Sequence, residues 1–271
     1  MPRPERRVIF STPGPVALAH RGGAAEAPEN SRAAIEHTLE LGYRYLETDV
    51  HLTADGVVVL MHDPELDRTT NGSGYVRDHT WQQLQQLRDG SGEPPVRLRD
   101  VLTDFPQLRL NIDLKEDRVV APAMREITAA GAWSRVCIAS FSDARLRVVR
   151  AMTTGRVATS LGRREAFRLV LASRSPRGVW RRLRLPGPAA ASTPGATALQ
   201  VPPSYRGRPV LTARLIELAH ARGLHVHAWT IDDPTQMHEL LDLGVDGLVT
   251  DRPTVLRRVL QERGQWHAGD D

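Results

Sequence analysis

The chain has 271 residues, of which 41% are hydrophobic and 25% are charged, and its formal net charge is +4. This is enough apolar material for one large α/β domain or two small ones. No run of about 18 apolar residues occurs, so no membrane-spanning helix is expected, and aromatic residues are too scarce, at 5%, to form a base-stacking surface for nucleic acid.

The start of the chain, MPRPERRVIF, is basic but no long apolar stretch follows it, so no secretory signal is expected. The single cysteine, Cys137, lies in the apolar run VCIASF and is interpreted as a buried small side chain rather than a nucleophile. This cysteine usage suits a reducing compartment, and the sequence therefore predicts a cytoplasmic protein.

Strand-like and helix-like segments alternate along the chain, which predicts a mostly parallel sheet. The predicted strands lie near 16–20, 45–50, 109–114, 136–141, 157–161, 198–202, 225–231 and 247–250. The predicted helices lie near 30–41, 118–130, 142–153, 163–171, 210–222, 234–242 and 253–262. Eight strands in about 250 residues indicate an α/β fold of the TIM (β/α)₈ barrel type. A doubly wound open sheet is the alternative, but HRGGAAEAPEN matches its glycine-rich turn poorly.

A turn signal, Thr53-Ala54-Asp55-Gly56, separates two β-rich runs. So short a connection cannot cross over to a parallel strand, so 57–62 should fold back antiparallel on 49–54. With a two-residue loop, His51 would face Leu60 and Asp49 would face His62, and a slip of one residue would turn His62 away.

Residues 1–271 are thus expected to form a single barrel domain with a small subdomain inserted after the hairpin. This insertion, about 63–100, includes a short predicted helix at 81–87 and is expected to cover the barrel mouth. A second, arginine-rich excursion is expected at about 163–209. The tail, 263–271, is expected to be disordered.

Acidic side chains share one face of two predicted strands. Glu47 and Asp49 are two residues apart and point to the same side, and Asn111, Asp113 and Lys115 share a face by the same rule. Buried acids without partners are costly, and a divalent cation would remove that cost. Because the donors are oxygen atoms, Mg²⁺ or Ca²⁺ is favoured over zinc. A purely structural set of ion pairs with neighbouring cations is the alternative.

Two histidines lie at the same predicted end of the barrel. His20 ends the first strand, and the Arg21-Gly22-Gly23 turn after it suits close contact with a phosphate. His62 precedes a proline that ends its strand, and two such histidines can act as base and acid near neutral pH. The other eight are interpreted as core or rim residues, with His51 ambiguous because it shares a face with Asp49.

A divalent cation, two cationic side chains and two histidines make a site for an anionic ester. Phosphodiester cleavage is the reaction class that this combination indicates. A serine-nucleophile motif of the form G-x-S-x-G is absent from the sequence.

In these features the sequence resembles the glycerophosphodiester phosphodiesterase family. The resemblance runs in order from Ala19 to Pro253 and rests on the strings HRGGAAEAPENS, ETDVHLTADGVVVLMHDPELDRTTNGSG, NIDLK, SF at 140–141, ALQVP, HVHAWTIDDP and GVDGLVTDRP. It implies a TIM barrel with a small inserted subdomain. It also implies hydrolysis of glycerophosphodiesters to glycerol 3-phosphate and an alcohol, by way of a cyclic phosphate formed by the glycerol 2-hydroxyl.

The resemblance also implies roles for single residues. By position, His20 and His62 would be the acid/base pair, and Glu47, Asp49 and Asp113 would bind the metal. Phosphate and substrate contacts would come from Arg21, Lys115, Glu29, Asn30, Phe141, Gln200 and Trp229. One departure stands out: the family usually has glutamate where this chain has the shorter Asp113, which puts the identity of the metal, Mg²⁺ or Ca²⁺, in doubt.

Two rival functions remain open from the sequence. The segment 163–184 mixes arginines with large apolar residues, and a weak contact with a membrane surface would suit a lysophospholipase D. A solvated helix whose apolar stripe packs on the barrel is the favoured interpretation of the same segment. The other rival is a catalytically silent barrel that binds phosphodiesters. The expected partner is a small-molecule substrate and not nucleic acid, and the sequence leaves the oligomeric state open.

Overall fold

Residues 9–10, 12–175 and 195–268 are described by the structure, which is a computed structural model. Their strands, in chain order, are β1 (Val16–His20), β2 (Tyr45–Leu52), β3 (Val58–Leu60), β4 (Arg109–Leu114), β5 (Val136–Ala139), β6 (Ala158–Ser160), β7 (Ala196–Val201), β8 (Ser204–Tyr205), β9 (Arg208–Pro209), β10 (His225–Ala228) and β11 (Gly247–Thr250). Eight of them are parallel, and the sheet closes because β1 pairs with both β2 and β11. The fold is a TIM barrel, as predicted.

Helices follow the barrel strands and cover their outer faces. In the described part of the chain the helices are α1 (Arg32–Glu40), α2 (Trp81–Leu84), α3 (Leu98–Asp104), α4 (Val120–Ala129), α5 (Asp143–Met152), α6 (Arg163–Arg174), α7 (Ala213–His220), α8 (Pro234–Leu243) and α9 (Pro253–Glu262). Most begin at a capping side chain: Ser31 accepts a hydrogen bond from the Ala34 amide, and Asp233 accepts one from the Gln236 amide. No helix in these ranges is long and apolar enough to cross a membrane.

The barrel interior is apolar at the end where the strands begin. There Phe10 stacks on Tyr45 and belongs to one buried apolar cluster with Cys137 and Val249, so the N-terminal segment closes that end of the barrel. The two largest apolar clusters lie between the outer strand faces and the helices. This burial leaves the opposite end, where the strands finish, free for polar side chains.

The hairpin exists, but its predicted register is wrong by one residue. Val50 faces Leu60 and Leu52 faces Val58, because the turn has three residues and Gly56 adopts a φ of +83°. The slip does not turn His62 away from the barrel mouth. Strand β3 ends at Leu60, and His62 lies beyond it in an irregular segment whose side chain lines the cavity at the mouth.

The insertion after the hairpin has a small core of its own. Leu66, Val76 and Leu84 are buried against the far side of β3, and the helix predicted at 81–87 ends at Leu84. No residue of the fully described stretch 63–100 lines the cavity at the mouth. The insertion therefore flanks the mouth instead of covering it.

The structure describes parts of two further stretches, the arginine-rich one at 163–209 and the tail. The stretch 163–209 begins with the barrel helix α6 and contains the barrel strand β7, close to the helix predicted at 163–171 and the strand predicted at 198–202; residues 176–194 lie outside the described part. The tail is ordered up to residue 268: Trp266 packs on Tyr43, with ring centroids 5.0 Å apart. Residues 269–271 lie outside the described part.

Candidate active site

A cavity of about 1210 Å³ opens where the barrel strands end. The predicted site residues that line it are His20, Arg21, Glu47, Asp49, His62, Asp113, Lys115, Phe141, Gln200 and Trp229. Glu29 and Asn30 do not line the cavity, but each makes a hydrogen bond to a residue that does: Glu29 to Arg21, and Asn30 to Asp49. The strands place these side chains together because parallel strands finish at the same edge and alternate residues face inward.

Asp49 is the most fully paired of the three carboxylates. Its Oδ1 lies 2.7 Å from Nζ of Lys115. Its Oδ2 lies 3.1 Å from Nε of Arg21 and accepts a hydrogen bond of 3.2 Å from Nδ2 of Asn30. Lys115 also reaches Oδ2 of Asp113 at 2.8 Å. Part of the structural alternative, that cations pair with these acids, is therefore present in the fold.

Glu47 and Asp113 each keep one buried oxygen without a hydrogen-bond partner, Oε2 and Oδ1 respectively. Burial, reinforced by the charge of Asp49, raises the pKa of Glu47 to about 8. Two unsatisfied carboxylate oxygens in one polar cavity are expensive to bury, because each loses its contacts with water. Their donor chemistry suits a hard divalent cation.

The described residues nevertheless contain no group of three or more His, Cys, Asp or Glu side chains placed to hold a metal ion. Lys115 bridges Asp49 and Asp113, so its ammonium group supplies the positive charge that these two carboxylates face. The predicted ligand set of Glu47, Asp49 and Asp113 thus faces one cavity without converging on one point.

The imidazole ring of His20 is fixed at Nδ1 by the carboxylate of Asp251, which is far away in the sequence. Its Nδ1 donates to Oδ1 of Asp251 at 2.6 Å, and its Nε2 lies 3.7 Å from Oε2 of Glu47. Burial would lower the pKa of His20, but the hydrogen bond to Asp251 and the charge of Glu47 outweigh it, so the pKa is raised. Asp251 is itself fixed, because its backbone N–H donates to Asp232.

His62 has the same arrangement with a neighbouring acid. Its Nδ1 donates to Oδ1 of Asp63 at 2.6 Å, and its backbone carbonyl lies 3.1 Å from Nε2 of His51. In both catalytic candidates, His20 and His62, a carboxylate fixes Nδ1, which leaves Nε2 as the free ring nitrogen. His51 is buried outside the cavity lining and contacts the backbone of His62 and the side chain of Glu116.

Arg68, in the insertion, connects the two halves of the site. Its Nε donates to Asp63 at 2.6 Å, and its terminal nitrogens grip both oxygens of Glu29 at 2.7 Å. Hydrogen bonding to Arg68 lowers the pKa of Asp63 to about 2. Glu29 in turn accepts from Arg21 at 3.0 Å. The contacts run unbroken from His62 to Arg21.

Two of the residues around Asp49 have a left-handed backbone. Arg21 has a φ of +52° and Asn30 a φ of +56°, a conformation that costs energy for residues with a side chain. Backbone hydrogen bonds hold both: Arg21 N–H donates to the Glu47 carbonyl, and Asn30 N–H donates to the Arg21 carbonyl. In this backbone conformation the side chains of Arg21 and Asn30 both reach Asp49.

A hydrogen-bonded set of three polar residues runs from the cavity lining, at Asn111 and Gln200, into the barrel core, at His227. Nε2 of Gln200 donates to Oδ1 of Asn111 and to Nδ1 of His227, both at 3.2 Å. His227 is completely buried, and burial lowers its pKa to about 3, so it is neutral and accepts. Both contacts use the side-chain nitrogen of Gln200, so the side-chain carbonyl oxygen of Gln200 is available to a ligand in the cavity.

The aromatic pair predicted for the pocket is present at its rim. Phe141 and Trp229 meet edge to face, with centroids 6.0 Å apart, and Phe141 is 61% exposed. The supporting residues Asp63, Asp251 and Arg68 were not predicted from the sequence. All three occur in strings that carry the family resemblance, and that was the available signal.

The sequence matches the Glycerophosphoryl diester phosphodiesterase family over residues 20–255. A curated relative, the probable glycerophosphodiester phosphodiesterase 2 of Mycobacterium tuberculosis, is 38% identical over 258 residues, which cover 93% of each chain.

Solved structures have the same fold. A putative glycerophosphoryl diester phosphodiesterase from Silicibacter pomeroyi superposes with a TM-score of 0.74 at 24% identity, over 95% of this chain and 97% of the other. A phosphodiesterase from Oleispira antarctica, solved in complex with the product sn-glycerol-3-phosphate, gives 0.71 at 24% identity over 92% and 97%. The family match and the curated relative decide the assignment. The chain therefore belongs to the glycerophosphoryl diester phosphodiesterase family and is a phosphoric diester hydrolase.

Proposed function

We propose that this protein hydrolyses glycerophosphodiesters to glycerol 3-phosphate and an alcohol, using His20 and His62 as an acid/base pair and a divalent cation. The observation that carries the proposal is the shared arrangement of the two histidines. Each has Nδ1 fixed by a carboxylate, and each lines one cavity with Arg21 and Lys115. Family membership and the product bound to the Oleispira antarctica enzyme support this choice of substrate.

The two histidines would transfer protons at their Nε2 atoms. One imidazole removes the proton of the attacking glycerol hydroxyl while the other protonates the leaving alkoxide, so one P–O bond forms as another breaks. Water then opens the cyclic phosphate with the two roles exchanged. Arg21 and Lys115 stabilise the negative charge of the phosphoryl oxygens. The free carbonyl of Gln200 accepts a hydrogen bond from a glycerol hydroxyl.

Glu47 and Asp113 would hold the cation through their unpaired oxygens. Asp49, whose oxygens contact Arg21, Asn30 and Lys115, would exchange one of these contacts for the ion. Bound there, Mg²⁺ or Ca²⁺ would polarise a non-bridging phosphate oxygen. The cytoplasmic location expected from the cysteine usage stays a prediction that cell fractionation tests.

Reconstitution with metals is the direct test of the proposal. The chelated protein receives Mg²⁺, Ca²⁺, Mn²⁺ or Zn²⁺ and is assayed with a panel of glycerophosphodiesters. We expect turnover to return with Mg²⁺ or Ca²⁺. Full turnover in chelator would contradict the role of the metal, and no turnover with any metal would contradict the proposed activity.

His62→Ala is the matching test of the acid/base pair. We expect this variant to lose turnover by about 10² to 10⁴ fold and to bind the metal with unchanged affinity in calorimetry. His220→Ala, outside the cavity, is the control because His220 also contacts a carboxylate, Asp246. Wild-type turnover of the His62 variant would refute its role and favour a silent binding barrel.

A further inference from the structure

The outer part of the cavity is lined by exposed aromatic rings. Four aromatic side chains of the described residues are exposed large hydrophobics, and three of them line this cavity: Phe141 at 61%, Phe167 at 60% and Tyr205 at 54%. The fourth, Tyr75, lies in the insertion. Monomeric proteins seldom leave such rings together in water, and a cluster of them marks a binding surface.

Four arginines line the same cavity as these rings, and the described part of the chain gives them no acidic partner. Arg163, Arg164, Arg206 and Arg208 line the same cavity, and none forms an ion pair within 9–10, 12–175 and 195–268. The acids next to two of them are engaged elsewhere. Asp143 accepts backbone N–H groups of α6, and Glu165 pairs with Arg150.

Helix α6 has large apolar side chains both on its buried side and on its exposed side. Leu169 and Val170 are buried against the barrel, as the favoured interpretation of this segment expects. Phe167 and Leu171 lie on its exposed side, at 60% and 47%. Packing on the barrel therefore accounts for only part of its apolar surface. Residues 176–184 of the predicted membrane segment lie outside the described part of the chain.

We infer that Phe167, Tyr205 and the four arginines, together called the aromatic–arginine rim, dock the protein on a bilayer that contains anionic phospholipids. Guanidinium groups are attracted to anionic headgroups, and aromatic rings partition into the interfacial region below them. A DNA duplex would use the arginines, but its bases are already stacked on one another, so it would leave the exposed Phe167 unexplained.

Docking at this rim would place the open end of the barrel against the lipid surface. A glycerophosphodiester that retains one acyl chain stays in the bilayer, and the rim would present the cavity to it. This consequence for the substrate, a lysophospholipid, rests on the proposed function, whereas the docking itself does not.

Flotation of the full chain with vesicles tests the docking. The lipids are phosphatidylcholine alone and phosphatidylcholine mixed with phosphatidylglycerol. We expect binding to the mixed vesicles only, weakened by about tenfold in Arg163→Ser/Arg206→Ser and in Phe167→Ser/Tyr205→Ser. The matched controls, Arg125→Ser on α4 and Val148→Ser on α5, are exposed elsewhere and should bind like wild type.

Several results would overturn the inference. The first is that the wild type does not bind the mixed vesicles. The second is that the control variants lose as much binding as the rim variants. The third is that a DNA duplex abolishes vesicle binding while Phe167→Ser/Tyr205→Ser still binds the vesicles. Hydrolysis of soluble glycerophosphocholine by the same samples is measured in parallel. Retained hydrolysis without vesicle binding refutes the rim alone, and vesicle binding without hydrolysis refutes the proposed function alone.

Discussion

At the scale of single residues, the proposed acid/base pair is held by side chains that lie outside the cavity lining. Asp251 and Asp63 fix the two imidazoles, and Arg68 fixes Asp63. A misplaced imidazole loses proton-transfer efficiency even when its own chemistry is unchanged. Mutation of these supporting residues should therefore lower turnover even though both histidines remain.

Arg68→Ala should lower kcat by about tenfold with a smaller change in KM, because it releases Asp63 and Glu29 together. Arg68→Lys should not restore kcat, since an ammonium group cannot grip both oxygens of Glu29. Steady-state kinetics measures both variants. Arg97→Ala, which breaks an ion pair with Asp100 nearby, is the control, and an equal loss of kcat there would show a general effect of the insertion.

His227 should make the fold sensitive to acid. Its folded pKa of about 3 lies below the ordinary 6.5, so the unfolded chain binds the proton first, and the stabilisation is present above 6.5 and is lost as the pH falls towards 3. Between about pH 7 and pH 5 this group should cost the wild type about 2 kcal/mol of unfolding free energy. Denaturant titrations of wild type and His227→Leu at both pH values measure it, and identical pH losses would contradict it.

At the scale of elements, two glycines with nearly the same backbone φ separate backbone strain from steric crowding. Gly22, after β1, has a φ of +85°, and an added Cβ would lie 2.5 Å from Cβ of Ala34; Gly56, in the hairpin turn, has a φ of +83° and nothing within 4 Å. The first turn holds Arg21 close to α1, whereas the second only needs the left-handed conformation.

Gly22→Ala should therefore cost about 3 kcal/mol or more of unfolding free energy, because α1 must move as well. Gly56→Ala should cost only about 1 kcal/mol, which is the strain of the left-handed backbone. Urea unfolding of both variants gives the comparison. If both variants lost the same unfolding free energy, the turn at Gly22 would have room for a Cβ next to α1, and the argument from crowding would be contradicted.

Elements also show what sequence reasoning could reach. The period of two placed Glu47 with Asp49 and Asn111 with Asp113 on inward faces, because it depends only on local geometry. The three-residue turn ending in Gly56 was missed, since Asp-Gly suits a two-residue loop equally well. The partner of His20, Asp251, is 231 positions away, and no local pattern shows such a contact.

At the scale of the whole molecule, an apolar cluster and the polar cavity lie at opposite ends of the barrel. Phe10 closes the end where the strands begin, with its ring 4.4 Å from that of His227, and the cavity opens at the other end. In barrels of this type, residues at the closed end contribute to stability, whereas active sites are built at the end where the strands finish.

Phe10→Ala should destabilise the fold by about 3 to 5 kcal/mol, through lost apolar burial and the cavity left behind. Its kcat should stay within a factor of about two of wild type, because the site is built at the other end. Thermal or urea unfolding and kinetics below the transition measure the two effects. Phe167→Ala is the control for stability, since that ring is 60% exposed; a comparable stability loss there would contradict the assignment of Phe10 to the core.

The double grip of Arg68 on Glu29 has a consequence for building hybrids of this enzyme. The insertion looks like a replaceable module, because it follows a hairpin and has its own small core. Its arginine, however, is anchored to a residue that precedes it by 39 positions. A chimera that receives the insertion of another phosphodiesterase therefore also needs the residue that pairs with it at position 29. Without that residue the foreign insertion would lose its ion pair to the barrel.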